Sequence, residues 1–275
     1  MKTLLENTCN LTLKTKPFPY LVIKNALPED LYDNLTAEFP QIDTLSDKKN
    51  LGNNKRLDMS STEVKSSPCI TPLWKEFIAL HTSQNFLDQL INIFSSAVIE
   101  AYPHLFQSKD RLISGVRNED TYSSCDVMMD ALISANTPVV AKATSVRKGH
   151  LDLPDKLFSG LFYMRDPQDN SEGGNFEIYK FRTKNPYGFK KDLSIHDDYL
   201  ELIETVPYSS NTLVVFMNSI ASLHGVSVRS LTPYARKFVN LVVEVEQPLF
   251  NSSSYQEAAN PWVRKVKQKI VKLAG

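Results

Sequence analysis

Ser145-Val146-Arg147-Lys148-Gly149-His150-Leu151-Asp152 is the stretch on which the reading of this chain turns. His150 and Asp152 are two positions apart, so on an extended strand an imidazole and a carboxylate project from the same face. A bare His-x-Asp is common by chance and by itself marks an ordinary surface strand. It gains meaning from His224, 74 residues on. If a neighbouring strand supplies that second imidazole, the three side chains form a 2-His-1-carboxylate face. Such a set grips a metal from one side and leaves the opposite positions open, as non-haem Fe(II) requires.

A second His-x-Asp, His196-Asp197-Asp198, precedes His224 by only 28 residues and sits in a polar, charged insertion over 181–200. A barrel needs several strands between its first two ligands and its distal histidine, and that short span holds one convincing strand. His150 and Asp152 are therefore the expected pair. His81 and His104 fall in or beside helical segments with no ligand partner at useful spacing and read as structural or surface histidines.

Outward from the motif, the chain is extended. Asp126–Ile133 and Pro138–Ser145 read as strands joined by an Asn136-Thr137-Pro138 turn. Leu157–Met164, Asn175–Tyr179, Thr212–Phe216 and Lys237–Glu244 are further β-prone runs, and Leu200, Leu202 and Ile203 are expected to pair at an edge. About seven short strands with Gly, Pro and Asn turns between them predict a two-sheet jelly roll.

Before residue 120 the pattern differs. Phe18–Ile23 reads as a short strand. Pro28-Glu29-Asp30 opens a helix with a Leu31, Leu35, Phe39 stripe, which Pro40 ends. The polar run 43–68 is expected to be a long surface loop bordering a substrate site. The segment 72–105 is expected to be helical. Pro261–Ala274 predicts a basic amphipathic helix, with Trp262, Val266, Ile270 and Leu273 on one side. The expected fold class is mainly β with flanking helices (α+β): 1–120 as an N-terminal strand and helical support, 121–250 as a double-stranded β-helix (jelly roll, cupin-like) core, and 251–275 as the closing helix, one structural domain overall.

These residues resemble the Fe(II)/2-oxoglutarate-dependent dioxygenases, especially the prolyl-4-hydroxylase-like branch. The resemblance covers about 121–247, with a weaker echo in 17–40. It is carried by His150-Leu151-Asp152, Leu161-Phe162-Tyr163-Met164, Glu172-Gly173-Gly174-Asn175-Phe176-Glu177-Ile178, Asn211–Phe216 and Leu223-His224-Gly225-Val226, followed by a basic residue on the last strand. It implies His150, Asp152 and His224 as iron ligands, and Arg236 as the cation that holds the distal carboxylate of 2-oxoglutarate. It implies Tyr163 as a second contact to that carboxylate. Arg229 and Lys237 are competing anchors, although Lys237 faces the opposite side of the strand from Arg236. The implied chemistry consumes 2-oxoglutarate and O2, releases succinate and CO2, and hydroxylates an unactivated C–H, with ascorbate as an accessory reductant. Related halogenases carry a small residue where Asp152 stands, so hydroxylation is favoured over halogenation.

Arg147, Lys148, Arg165 and Arg229 lie around the ligand strands. Arg147 is the best candidate for contact with an anionic substrate, small-molecule or peptidyl; the other reading is a solvated charged rim. A non-catalytic jelly-roll module that binds sugar or peptide, and a cupin-type metal enzyme that does not use 2-oxoglutarate, are the two alternatives.

Composition is compatible with all three. Of 275 residues, 42% are hydrophobic, enough for a full core, and the 31 basic residues balance 31 acidic ones, which disfavours a dedicated nucleic-acid binder. Cys9, Cys69 and Cys125 form neither a metal-spaced cluster nor a disulfide framework, so a reducing cytoplasm is the expected setting. The start Met1–Glu6 does not read as a signal peptide, and no apolar run reaches the ~18–20 residues of a membrane span.

Overall fold

The computed structural model describes residues 1–6, 12–45, 52–182, 189–190 and 192–251. The expected helix at 261–274 and Cys9 lie outside the described residues.

The strands and helices follow one another along the chain as β1 (Tyr20–Lys24), α1 (Glu29–Ala37), β2 (Arg56–Met59), α2 (Ser61–Ser66), α3 (Pro72–His81), α4 (Gln84–Ala101), β3 (Ser114–Val116), β4 (Val127–Asn136), β5 (Lys156–Tyr163), β6 (Phe176–Phe181), β7 (Leu200–Val206), β8 (Thr212–Met217), β9 (His224–Val226) and β10 (Arg236–Val245). A large sheet runs β1-β8-β5-β10-β4-β2, with β3 pairing β4 in parallel; a small sheet runs β7-β6-β9. The mainly β class, with helices flanking two facing sheets of a double-stranded β-helix, is what the sequence predicts.

Alternation in the central strands explains both layers of core. On β10, Val239, Leu241 and Val243 face the helices, where they join Trp74, Phe77, Leu87, Leu90 and Phe94. Arg236, Phe238 and Asn240 point the other way, into the space between the sheets. On β8, Leu213, Val215 and Met217 take the helix side while Val214 and Phe216 meet Phe176, Ile178 and Val206 of the small sheet. Every residue of β8 is therefore buried, which accounts for its unbroken apolar run.

The helices start where their caps dictate. Thr71 accepts from the Trp74 amide ahead of Pro72, and Ser83 from the Phe86 amide. In α1 the buried stripe is Tyr32 and Leu35, continued by Phe39, with Leu31 only partly covered.

Two expectations are corrected. The run 43–68 is not one loop: it contains β2, which pairs with the end of β4, and α2, which opens on a reciprocal Ser60–Glu63 capping box. The run 138–145 is not a ladder strand. Its contacts across are isolated bridges, Val139 to Thr232 and Thr144 to Arg229, and the Asn53 side chain accepts from the Val140 and Ala141 amides in place of a neighbouring strand. Leu200–Val206 pairs at the border of the small sheet, as expected.

Candidate metal centre

His150 and His224 face each other across a two-bond bridge: the His150 amide donates to the His224 carbonyl at 2.9 Å and the His224 amide returns a bond at 3.1 Å. This pairing extends the small sheet past β9 and fixes the register that brings the two imidazoles together, with ring centroids 4.2 Å apart. Asp152 follows on the same extended run. One ligand atom from each of His150, Asp152 and His224 lies within 4.8 Å of the others, and all three residues are buried.

The surroundings orient each ligand. His150 Nδ1 bonds the Lys148 carbonyl at 2.7 Å, and His224 Nδ1 bonds the Ser222 carbonyl at 2.8 Å. A carbonyl can only accept, so each Nδ1 carries the proton and each Nε2 presents a lone pair. Those Nε2 atoms lie 3.8 and 4.0 Å from Asp152 Oδ1. The other carboxylate oxygen, Oδ2, accepts from Ser159 Oγ at 2.6 Å. The His224 ring packs between Phe176 and Phe216, at centroid distances of 5.3 and 4.6 Å, which shields it from water.

Electrostatics favour the ligating forms. Burial, with the neighbouring charge of Arg147 adding to it, holds both imidazoles below their ordinary value and keeps them neutral. Burial alone would raise the Asp152 carboxyl, but Lys156, the two histidines and the Ser159 hydroxyl together hold it well below the usual carboxylate range. Lys156 reaches Asp152 because the β5–β10 register skips Leu157, a bulge that turns Lys156 inward.

The three ligands share a cavity of about 240 Å³ with Arg236. The Arg236 guanidinium is 1% exposed. Its Nε donates to the Gly174 carbonyl at 2.8 Å and its Nη1 to Asn136 Oδ1 at 3.3 Å. Tyr163, Tyr208 and Phe238 surround it at 4.9–5.1 Å from their centroids. Among the described residues no carboxylate pairs with it, and its Nη2 has no hydrogen-bond partner. Tyr163 Oη and Asn136 Nδ2 are likewise buried without partners. One orphaned N–H of the guanidinium and two orphaned donors beside it fit a bound carboxylate, since an unpaired buried cation is costly.

The competing anchors are engaged elsewhere. Arg229 is buried in an ion pair with Asp169 at 2.7 Å and donates to Ser171 Oγ. Lys237 lies on the helix side, its Nζ over the Phe39 ring. The Gly173-Gly174 corner beside Arg229 and Arg236 admits no side chain: Gly173 has φ +79°, and a Cβ there would sit 1.8 Å from the Val228 carbonyl oxygen. Arg147 lines the cavity, its Nη1 3.5 Å from Asp152 Oδ1. His196 lies apart, its Nδ1 accepting from the Asp198 amide. His81 is a core histidine: its Nδ1 bonds the Phe77 carbonyl and its Nε2 accepts from the Leu4 amide.

The sequence reading did not single out Asn136, Lys156, Ser159 and Arg56, all of which line the cavity. Asn136 was visible only as a turn residue and Arg56 only as part of a polar loop; Ser159 and Lys156 carry no local signal.

No family model matches the chain, and no curated protein matches it. Similar solved structures include a prolyl 4-hydroxylase from Phytophthora capsici (13% identity, TM-score 0.49, covering 93% of this chain and 68% of that one). A second is a Pseudomonas putida prolyl-4-hydroxylase (14%, 0.43, covering 83% and 93%). A third is the non-haem alpha-ketoglutarate-dependent epimerase SnoN from nogalamycin biosynthesis (9%, 0.47, covering 89% and 81%). Among the described residues no helix is long and apolar enough to cross a membrane.

Proposed function

We propose that this chain is a non-haem Fe(II)- and 2-oxoglutarate-dependent oxygenase of the prolyl-4-hydroxylase-like branch, hydroxylating an unactivated C–H of its substrate. The observation that carries the reading is one cavity holding two kinds of site. His150, Asp152 and His224 converge as a buried ligand set. Arg236, which pairs with no acid among the described residues, brings an unpartnered Nη2 to the same space.

His150, Asp152 and His224 would hold the iron. Arg236 and Tyr163 would hold the distal carboxylate of 2-oxoglutarate, with Asn136 Nδ2 as a third donor. When bound, iron and 2-oxoglutarate supply the oxidising chemistry and O2 is consumed, with succinate and CO2 released. The chain's own part is to fix both imidazole tautomers through the Lys148 and Ser222 carbonyls and to turn one Asp152 oxygen toward the metal by engaging the other with Ser159. Phe176 and Phe216 keep water away from His224.

Anaerobic addition of Fe(II) and then 2-oxoglutarate tests the reading. A weak visible charge-transfer band is expected only when both are present, and His224→Ala should abolish it. A wild-type protein that gives no band refutes the assignment.

A further inference from the structure

The cavity carries more positive charge than the proposed chemistry uses. Arg56, Arg147, Lys156 and Arg236 all line it, while Asp152 is its one acid among the described residues. With Arg236 assigned to the co-substrate, three cations remain. Lys156 Nζ lies 3.7 Å from Asp152 Oδ2 and Arg147 Nη1 3.5 Å from Oδ1, so both lean on a single carboxylate that already faces the metal ligands. Arg56 has a partner in Asp58, which takes its Nε at 2.9 and 3.0 Å, but Asp58 does not line the cavity. The Arg56 guanidinium lies 5.5 Å from the centroid of Phe238, the ring that Arg236 also covers at 5.0 Å.

Arg56 and Arg236 share the Phe238 ring, and Arg147 and Lys156 share the Asp152 carboxylate, so four cations crowd one cavity. A cluster of guanidinium groups in a partly desolvated cavity is unfavourable until an anion joins it, and its planar donors suit carboxylate or phosphate. Val146 and Val226 line the cavity as well and offer apolar contact for a carbon skeleton. At about 240 Å³ the space lies below the ~300–1,000 Å³ of typical ligand pockets, so it admits a small molecule or the end group of a larger one.

We infer, building on the oxygenase reading, that the substrate is an anion whose carboxylate or phosphate group is held by Arg56 and Arg147 at the mouth of the cavity, with its carbon skeleton against Val146 and Val226. Arg56 and Arg147 then select substrate by charge, while Arg236 serves the co-substrate.

The test uses the full chain loaded with Mn(II) and 2-oxoglutarate, and proton relaxation of four probes: hexanoate, hexanamide, hexyl phosphate and hexanol. Mn(II) broadens the protons of a probe that binds near it. At least one anionic probe should be broadened about tenfold more than its neutral partner, and which one it is separates carboxylate from phosphate. Arg147→Gln and Arg56→Gln should each remove most of that preference, and Arg147→Lys, which keeps the charge, should restore part of it. Equal broadening by anionic and neutral probes, or a preference untouched in both Gln variants, overturns the inference. The Fe(II)–2-oxoglutarate band, recorded anaerobically on metal-free protein from the same batch loaded with Fe(II) instead, separates the two failures. A band without anion preference ends only this inference, whereas no band ends the oxygenase reading beneath it.

Discussion

Replacing Tyr163 by Phe should move stability and co-substrate affinity in opposite directions. The Tyr163 hydroxyl is buried beside the Arg236 guanidinium without a well-formed hydrogen bond to it, while its ring packs edge-on against Tyr208 at 5.3 Å and lies beneath Arg236 at 4.9 Å. Phe keeps both ring contacts and deletes only the hydroxyl. In the protein without 2-oxoglutarate, that removes an unsatisfied polar group whose desolvation costs about 1–3 kcal/mol. The variant should therefore be more stable, with Tm higher by a few degrees. With 2-oxoglutarate present, the same hydroxyl has a carboxylate to meet, and losing a hydrogen bond of about 0.5–1.5 kcal/mol weakens binding roughly 2- to 12-fold. Thermal melts of the metal-loaded protein, with and without 2-oxoglutarate, read the first effect; an anaerobic titration of the visible band reads the second. A variant that is less stable without the co-substrate, or that binds it as tightly as wild type, refutes the assignment of this hydroxyl.

Three further expectations rest on other contacts. Arg236→Met replaces the guanidinium by an apolar chain of similar length; losing one charge-assisted hydrogen bond, about 1.5–3 kcal/mol, should weaken 2-oxoglutarate binding roughly 10- to 150-fold while metal affinity holds, as titration calorimetry would show. Ser159→Ala removes the 2.6 Å bond that orients Asp152 and should weaken Mn(II) binding about 10- to 100-fold, measured by the same calorimetry. His81 is buried and its value falls to about 4, below that of the unfolded chain. The unfolded state therefore binds the extra proton, and stability present above pH 6.5 is lost as pH falls toward 4. The loss is about 3 kcal/mol. Denaturant titrations should show wild type losing ground to His81→Asn over that window; a constant gap refutes it.

How far the sequence could be read depended on whether the signal was local. His150 and Asp152 share a face by alternation alone, and Lys237 is turned away from Arg236 by the same rule, so both inferences needed nothing beyond the strand. That His150 pairs directly with His224 is a register between segments 74 residues apart, which no local pattern specifies. The choice of Arg236 over Arg229 likewise depended on Asp169, 60 residues before Arg229, whose carboxylate neutralises the charge of that guanidinium. Asn136 was disguised by its turn-forming neighbours Thr137 and Pro138. In 138–145, β-branched residues promised a strand, but a single side chain, Asn53, took the hydrogen bonds a ladder would have supplied. The reverse happened at Arg56–Met59, whose polar–apolar alternation lasts only four residues inside a polar run and which becomes a strand by pairing with β4. The Ser60-x-x-Glu63 box beside it is a helix-start signal that the loop expectation passed over, and it marks the start of α2.

That short β2 segment has a consequence for how the protein could diversify. It reaches the cavity from outside the barrel proper, held by four residue pairs to the far end of β4, yet it contributes Arg56 to the opening. The candidate metal ligands come from other stretches of chain altogether. Rewriting the few residues around position 56 would therefore retune what the cavity admits while the His150–Asp152–His224 set and its scaffold stay as they are. A lineage could change diet there without relearning its chemistry.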